Sequence, residues 1–432
     1  MKPIIQIALD FVDLKRALRL AKEAVSGGAD WLEAGTPLIK SAGLDSVREL
    51  KKQFPDRTIV ADMKTVDAGR FEVEMAAKAG ADVVVVLSSA SDSTIKECVE
   101  AAANYGVKIM VDFIEMGTAV KRVRQIEQAG ADYIGIHNAI DEQMKGKKFI
   151  NDVKKLASLT SLPLAVAGGI NSENALEVYN AGASIIIIGG AVTKAVDAKK
   201  AVQEIKNVIS KRIKLRTELF RRISENEDIL KTLQKVSTAN ISDALHRHKA
   251  LNGIMIIPGM KDIKMAGPAF TVRTYPGDWA KPVEAIDVAR KNEVIVINND
   301  GATHVAPWGE LATLSCEKKG ISGVVIDGAV RDVDEIRIMK FPLFAKGIVP
   351  NAGEPKGFGE INAEIQCGGQ YVRPGDWIIG DESGVVVIPA ERAYEIARRA
   401  LEVRKNEERI REEIRRGSTL SEVAELTKWE KK

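Results

Sequence analysis

A four-residue signature recurs down the first half of the chain at nearly constant intervals. Gly27-Gly28-Ala29-Asp30, Ala79-Gly80-Ala81-Asp82, Ala129-Gly130-Ala131-Asp132 and Ala181-Gly182-Ala183-Ser184 start 52, 50 and 52 residues apart. Each copy closes a helix-length amphipathic stretch and opens an apolar run: WLEAG, VVVVL, YIGIH and IIIIGG. Between copies lies one more such run, TIVADMK, VKIMVDF or LPLAVAGG, and IIQIALD precedes the first copy. Continuous apolar strands alternating with helices call for a parallel sheet covered by helices. A period of two strand–helix units, seen four times, closes that sheet into a (β/α)8 TIM barrel over residues 1–210. The glycine of each copy suits a helix C-cap, and Asp or Ser then leads into the strand.

The remainder is of another kind. Residues 211–235 read as a charged helical connector, and the basic run Lys211 to Arg216 reads as a solvated helix face rather than a nucleic-acid contact. Over 236–396, short strands (AFTVRTY, EVIVIN, GVVIDGA, GVVVIP) alternate with Gly- and Pro-rich turns, which predicts a mixed α/β domain and not a second barrel. Residues 397–432 are dense in charge and predict an exposed or interface helix with a frayed end. A net charge of +3 over 432 residues creates no field that favours nucleic acid or membrane. Cys98, Cys316 and Cys367 lie far apart, which excludes a disulfide framework or a CxxC zinc site and fits a reducing cytoplasm. MKPIIQIALDF reads as a first strand and not a signal peptide, and no apolar run nears the roughly 20 residues that span a bilayer. A cytoplasmic location is expected.

Active sites of such barrels lie at the C-terminal ends of the strands. Asp10 ends the first strand, Glu33 lies in the second, and Asp62 and Lys64 close the third, with Asp67 just beyond. His137 ends the sixth, Gly168-Gly169 the seventh and Gly189-Gly190 the eighth. Spaced two apart on a strand, Asp62 and Lys64 are expected to face the interior together, with Glu33 in reach. Two carboxylates with substrate oxygens and water suit a hard cation, Mg2+ or Mn2+. The paired glycines are either tight turns or backbone N–H groups gripping a phosphate; their joint occurrence after strands seven and eight points to the phosphate.

ALD, EAGTPLIK, ADMKTVDAG, HNAIDEQ, AVAGGI and IIGGAVTKA together resemble the 3-hexulose-6-phosphate synthases of the orotidine-monophosphate-decarboxylase suprafamily, from residue 1 to about 210. The D-x-K-x-x-D element is Asp62, Lys64 and Asp67. The resemblance implies a dimer in which Asp67 reaches the partner's site, a sugar-phosphate substrate contacted also by Thr36, and formaldehyde as co-substrate. It implies that Glu33 and Asp62 hold the metal, with Asp10, Lys64, Asp67 and His137 catalytic. A related decarboxylase, acting on 3-keto-L-gulonate 6-phosphate, carries arginines just after the strand-six histidine and after strand eight. Here those stretches read His137-Asn138-Ala139-Ile140 and Gly189-Gly190-Ala191, which favours the aldolase. His137 is either a hydrogen-bonded core residue or the group that takes a proton from carbon 1, histidine being the side chain that ordinarily titrates near neutral pH.

In the second half, GVVIDGAV ends in a turn and Arg331-Asp332 opens a helix, with Glu335 three residues on. Locally, Asp332 and Glu335 read equally as helix capping or as metal carboxylates beside an anion-binding arginine. STANISDAL, AGPAFTV, WGELAT, VVIDGAVRD and RPGDWIIGDESGVVVIP resemble the family of ribonuclease activity regulator A, which also holds metal-dependent 4-hydroxy-4-methyl-2-oxoglutarate aldolases. Those aldolases carry an acidic residue, twenty intervening residues, then Arg-Asp; here Glu310 precedes Arg331 by that interval, with Glu for the usual Asp. The resemblance implies that Arg331 pairs with a pyruvate-like carboxylate, Asp332 holds Mg2+, Glu310 positions a water, and Gly309 and Leu311 offer backbone N–H groups. The alternative is a non-catalytic, protein-binding regulator; ribonuclease binding is implied by the family's name alone. His246, His248 and His304 form no ligand spacing and are expected at the surface or in packing.

Overall fold

The computed structural model describes residues 3–114, 119–137, 150–213 and 226–424. The chain forms two compact units, one of residues 1–221 with 405–432 and one of residues 222–404. In the first, β1 (Ile4–Leu9), β2 (Trp31–Ala34), β3 (Thr58–Thr65), β4 (Val83–Leu87), β5 (Lys108–Phe113), β6 (Tyr133–His137), β7 (Leu164–Ala167) and β8 (Ile185–Ile188) form a closed barrel. All neighbours are parallel, and β8 returns to β1 with Ile4 opposite Ile185.

The repeated signature has a mechanical role. Its second residue takes a positive φ in every copy (Gly28 97°, Gly80 99°, Gly130 93°, Gly182 113°), a conformation that glycine adopts without cost and that turns the helix end into the next strand. Its aspartate then reaches back to the preceding strand. Asp30 accepts the N–H of Ile5, Asp82 that of Ile59 and Asp132 that of Ile109, at 2.9, 2.7 and 2.9 Å. Each carboxylate also meets a lysine: Lys206, Lys51 and Lys108 respectively. The aspartates therefore satisfy strand-start donors at the N-terminal rim, where the ladder begins and backbone groups lack partners.

Inside, Val60, Val83, Val85, Met110, Ala165 and Ile185 fill the barrel, with Trp31 and Tyr133 packed edge to face at 5.5 Å. The buried polar residues Gln6, Glu33, Asp62 and Asp112 also belong to the strands. The apolar filling supports these groups; it does not form a pore.

Of the exposed and interface readings, the C-terminal helix takes the second over its latter half. It runs unbroken over Ala393–Arg415, and residues from Lys405 onward pack with the barrel and not as an exposed tail. Arg409 is 2% and Glu413 5% exposed, although their run of charge reads as solvated. Burial opposes ionisation of Glu413, but the bonds from Arg409 and Arg16 outweigh it and hold its carboxyl below the usual range. A carboxylate with a lowered folded-state pKa adds stability that is fully present above the ordinary glutamate value, about 4.3, and is lost as pH falls through the lowered value. Chemical denaturation of Glu413→Gln is expected to show a loss of about 2 kcal/mol at pH 7 and a shallower acid decline than the parent. Equal acid slopes in the two proteins would remove this account.

The second unit is built on one main sheet. In spatial order it runs β18 (Gly384–Ile388), β17 (Trp377–Asp381), β10 (Met265–Thr274), β11 (Val294–Asn298), β12 (Gly323–Val330), β13 (Leu343–Ile348) and β9 (Met255–Ile256). The four strands β10 to β13 are parallel, the outer ones antiparallel. β14 (Gly359–Ile361) pairs with β10, and β15 (Ile365–Cys367) with β16 (Gln370–Val372) form a hairpin. This is the mixed α/β domain anticipated. Of the connector, Asn226–Lys235 is helical and residues 214–225 lie outside the described residues.

Candidate active sites

At one mouth of the barrel the strands exchange apolar for ionisable side chains. Asp10 follows β1, Glu33 lies in β2, Asp62 and Lys64 in β3, Asp112 in β5, and His137 ends β6. Gln6 donates through Nε2 to Glu33 Oε2 at 2.5 Å. The Thr36 hydroxyl lies 2.7 Å from Asp62 Oδ2 and 3.0 Å from the Asp62 carbonyl, so Thr36 holds Asp62 in place. Lys64 Nζ donates to Asp62 Oδ1 at 3.2 Å and to Asp112 Oδ2 at 3.4 Å. Asp10 packs on bare backbone: a Cβ on Gly35 would sit 2.2 Å from Asp10 Oδ1. Its other oxygen lies 3.7 Å from the corresponding position on Gly189, which sets Asp10 beside the β8 turn.

These groups perturb one another. Burial, then Asp62, then Asp10 push the Glu33 carboxyl well above its ordinary value, against the pull of Gln6 and Lys64. Burial and then Asp62 raise Asp10, against His137 and Lys64. Asp112 is raised by burial, against Lys64 and His137. Burial alone would lower the Lys64 ammonium, but Asp62, Asp112 and Glu33 together hold it above its ordinary value. Asp10, Glu33, Asp62 and Asp112 therefore crowd one water-poor space, an arrangement that a cation relieves. Among the described residues, no three His, Cys, Asp or Glu side chains already converge as a metal-ligand set.

Lys64 reaches its place by another route than regular alternation. The β3–β4 pairing passes from Ala61↔Val84 directly to Thr65↔Val86, so Asp62 to Lys64 bulge out of register. Lys64 has φ 50°, a left-handed conformation that is strained for a side-chain-bearing residue. The bulge, not period-two geometry, turns the ammonium between Asp62 and Asp112.

Asp67 has a different setting. It is exposed, its Oδ1 accepts the N–H of Ala68, and it lines a surface cleft with Arg70, Phe71 and Glu74. Val66 and Phe71 beside it are 50% and 63% exposed. Gly168 and Gly169 take φ 105° and 67°, and Gly189 caps the short helix Gly190–Thr193. Asn138 to Gln143, which carry the rest of the HNAIDEQ segment, lie outside the described residues. The structure adds Gln6 and Asp112 to the residues picked out from the sequence. Asp112 stands near the end of VKIMVDF as Asp62 stands in the last half of its own strand, and Gln6 is a polar residue four before Asp10, so both carry a legible signal.

In the second unit, β12 is also bulged, between Ile326 and Ala329, and Asp332 follows with φ 57°. Asp332 stands at the N-cap of Val333–Met339 yet makes no capping bond with its side chain. Its carboxylate accepts from Arg331 Nε at 3.1 Å and from the Glu310 backbone N–H at 3.3 Å. A Cβ on Gly309 would lie 2.4 Å from Asp332 Oδ2, so only glycine permits this approach. The Asp332 side chain thus turns from its own helix to Arg331 and to the backbone N–H of Glu310. Leu311 is 78% exposed beside it, and Glu335 lies exposed in the first turn of the helix. His246, His248 and His304 are exposed.

Residues 3–205 match the family model of the orotidine 5'-phosphate decarboxylase / HUMPS family, and residues 238–387 match that described as RraA-like, Aldolase/RraA. The 3-hexulose-6-phosphate synthase of Bacillus subtilis is 36% identical over 206 residues, covering 48% of this chain and 98% of that protein. That of Mycobacterium gastri is 37% identical over 206 residues, covering 48% and 99%. For the second half, the crystal structure of Streptomyces coelicolor RraAS2, described as an unusual member of the RNase ES inhibitor RraA family, superposes with a TM-score of 0.40. It is 26% identical and covers 44% of this chain and 98% of that one. No helix among the described residues is long and apolar enough to cross a membrane.

Proposed function

The chain belongs to the orotidine 5'-phosphate decarboxylase / HUMPS family and carries a lyase barrel of the 3-hexulose-6-phosphate synthase type; from this we propose that the barrel joins formaldehyde to D-ribulose 5-phosphate and runs the reverse cleavage. The carrying observation is the crowd of Asp10, Glu33 and Asp62 about Lys64, with Asp10 beside the glycine turn after β8. Glu33 and Asp62 offer oxygen ligands only, the donor set of Mg2+ or Mn2+, and their mutual repulsion is what such an ion would neutralise. Bound there, the ion would supply Lewis-acid polarisation of the ketone.

This chain's residues do the rest. The N–H groups at Gly168-Gly169 and Gly189-Gly190 bind the phosphate. His137 takes the proton from carbon 1 of the pentulose, leaving an enediolate that Lys64 stabilises by charge. Carbon 1 then attacks formaldehyde, a carbon–carbon bond forms, and the aldehyde oxygen takes up a proton to give D-arabino-3-hexulose 6-phosphate. Asp67, exposed beside Val66 and Phe71, is suited to complete the site of a second copy. Purified protein should consume formaldehyde only when ribulose 5-phosphate and a divalent ion are both present; consumption indifferent to the sugar phosphate removes the proposal.

For the second unit the reading is a 2-oxo-acid aldolase of the 4-hydroxy-4-methyl-2-oxoglutarate type, supported by the Asp332 carboxylate turning from its helix towards Arg331 and Glu310. Arg331 pairs with the substrate carboxylate, Asp332 would hold a hydrated ion, and Glu310 positions a water. Glutamate at 310 carries one methylene more than the usual aspartate, which shifts its carboxylate by roughly an ångström. Full-length protein should release pyruvate from that substrate with Mg2+, and Arg331→Ala should slow release by about a hundredfold. No pyruvate from the parent protein would favour the regulator instead.

A further inference from the structure

The turn after β8 bonds within its own short helix, and the chain just beyond it is held from elsewhere. Strand β8 leads into Gly189 and Gly190, then the short helix Gly190–Thr193, then Ala195 and Val196. The carbonyls of those last two residues are gripped from the far end of the chain. Arg409 Nη1 donates to the Ala195 carbonyl at 3.2 Å and to the Val196 carbonyl at 3.3 Å. Arg416 Nη2 donates to the Val196 carbonyl at 3.3 Å.

The grip is itself fixed. Arg409 Nη1 and Nη2 make a fork with the two Glu23 oxygens at 3.1 and 3.0 Å, and Nε donates to Glu413 at 2.8 Å. Glu413 takes Arg16 Nε at 3.0 Å, and Arg16 lies over the Phe11 ring at 5.2 Å, next to Asp10. Glu23 and Arg16 both stand on the helix Leu14–Ser26 that follows β1. The C-terminal helix thus ties the segment after β8 to the helix after β1, the two that flank Asp10 and Gly189. A planar guanidinium that spends all three nitrogens is rigid where an ammonium would not be, and burial keeps these bonds from water.

We infer that Arg409, delivered by a segment that follows the second unit in sequence, is a positioning residue for the phosphate-gripping turn of the barrel. It touches neither substrate nor reacting atoms. It sets where the Gly189 and Gly190 N–H groups point by anchoring the chain just beyond them. This rests on the phosphate assignment made above and predicts a selective defect. Loss of the anchor weakens hold on the phosphate end of the substrate and leaves the carbon–carbon chemistry intact.

The test uses full-length Arg409→Lys, which keeps the charge and loses the fork, and Arg409→Ala. Arg416→Ala is included because that side chain is half exposed and its loss leaves Arg409 and the buried core of the network in place. For Arg409→Ala, KM for ribulose 5-phosphate should rise about tenfold, and for Arg409→Lys by about fivefold, with kcat and KM for formaldehyde within about twofold of the parent. Arg416→Ala should move the same constant in the same direction by about threefold. Calorimetric binding of ribulose 5-phosphate without formaldehyde should weaken in parallel, and lysine should restore part of what alanine loses. A purely structural clamp would lower the melting temperature and the active fraction while KM for ribulose 5-phosphate stayed constant, and that result overturns the inference. If Arg409→Ala does not fold, the lysine and Arg416 variants carry the same decision. If the parent protein makes no hexulose phosphate, the synthase reading fails by itself. Binding of inorganic phosphate by parent and Arg409→Lys then decides the positioning role, with equal affinity counting against it.

Discussion

Glu33→Gln is expected to abolish aldol condensation and, in metal-free protein, to raise the melting temperature. Both follow from one fact: Glu33 is 7% exposed and faces two other acids. Glutamine preserves shape and can still bond Gln6, but it removes a charge that burial, Asp62 and Asp10 all oppose. Relief of that repulsion is worth about 1 kcal/mol, which moves the melting point by about 2–4 °C in a unit of this size. The loss of a metal carboxylate and of the charge it anchors should cost about a thousandfold or more in kcat/KM. Asp62→Asn should lose activity to a similar extent without the gain in stability, because Lys64 and Thr36 both depend on that carboxylate. Thermal melts with chelator and a formaldehyde-consumption assay on the same preparations check both halves. A Glu33→Gln protein that is active, or one less stable than the parent, contradicts the account of this cluster.

His137→Ala should lower kcat by about 10²–10⁴-fold, the usual range for removal of a positioned general base. The proton step can be read apart from the aldol step. With ribulose 5-phosphate alone in D2O, the parent should exchange a carbon 1 hydrogen with solvent, followed by NMR, and His137→Ala should not. Exchange at the parent rate in the variant would assign the proton transfer to another group. Asp112 would be the first to consider, since its carboxyl is raised and shares Lys64.

How far residues alone lead depends on which physical rule governs each place. The barrel follows from the repeated glycine–aspartate signature because every copy is mechanically necessary. All four make a positive-φ turn, and three place a carboxylate on a strand-start N–H. Asp10, Glu33 and Asp62 follow from the rule that polar residues ending apolar strands face the mouth. That rule extends equally to Asp112 on strand five, where the apolar run VKIMV draws attention away from it. The β3 bulge cannot be read, because alternation assumes a regular strand and nothing in ADMKT announces a left-handed lysine. Asp332 stays ambiguous since a helix cap and an acidic site residue have the same sequence; only the direction of its side chain separates them. The C-terminal helix stays open in the same way. A buried network of Arg16, Glu23, Arg409 and Glu413 is written in the same letters as a solvated charged face.

The decisive measurement offers one preparation of the full-length protein two substrates in separate reactions with Mg2+. One contains 13C-formaldehyde and ribulose 5-phosphate; the other contains 3-keto-L-gulonate 6-phosphate. The expected result is that the label enters carbon 1 of a hexulose 6-phosphate, that chelation stops this, and that release of carbon dioxide from the second substrate is slower by orders of magnitude. No labelled hexulose phosphate, or decarboxylation as the faster reaction, would contradict the assignment of this barrel.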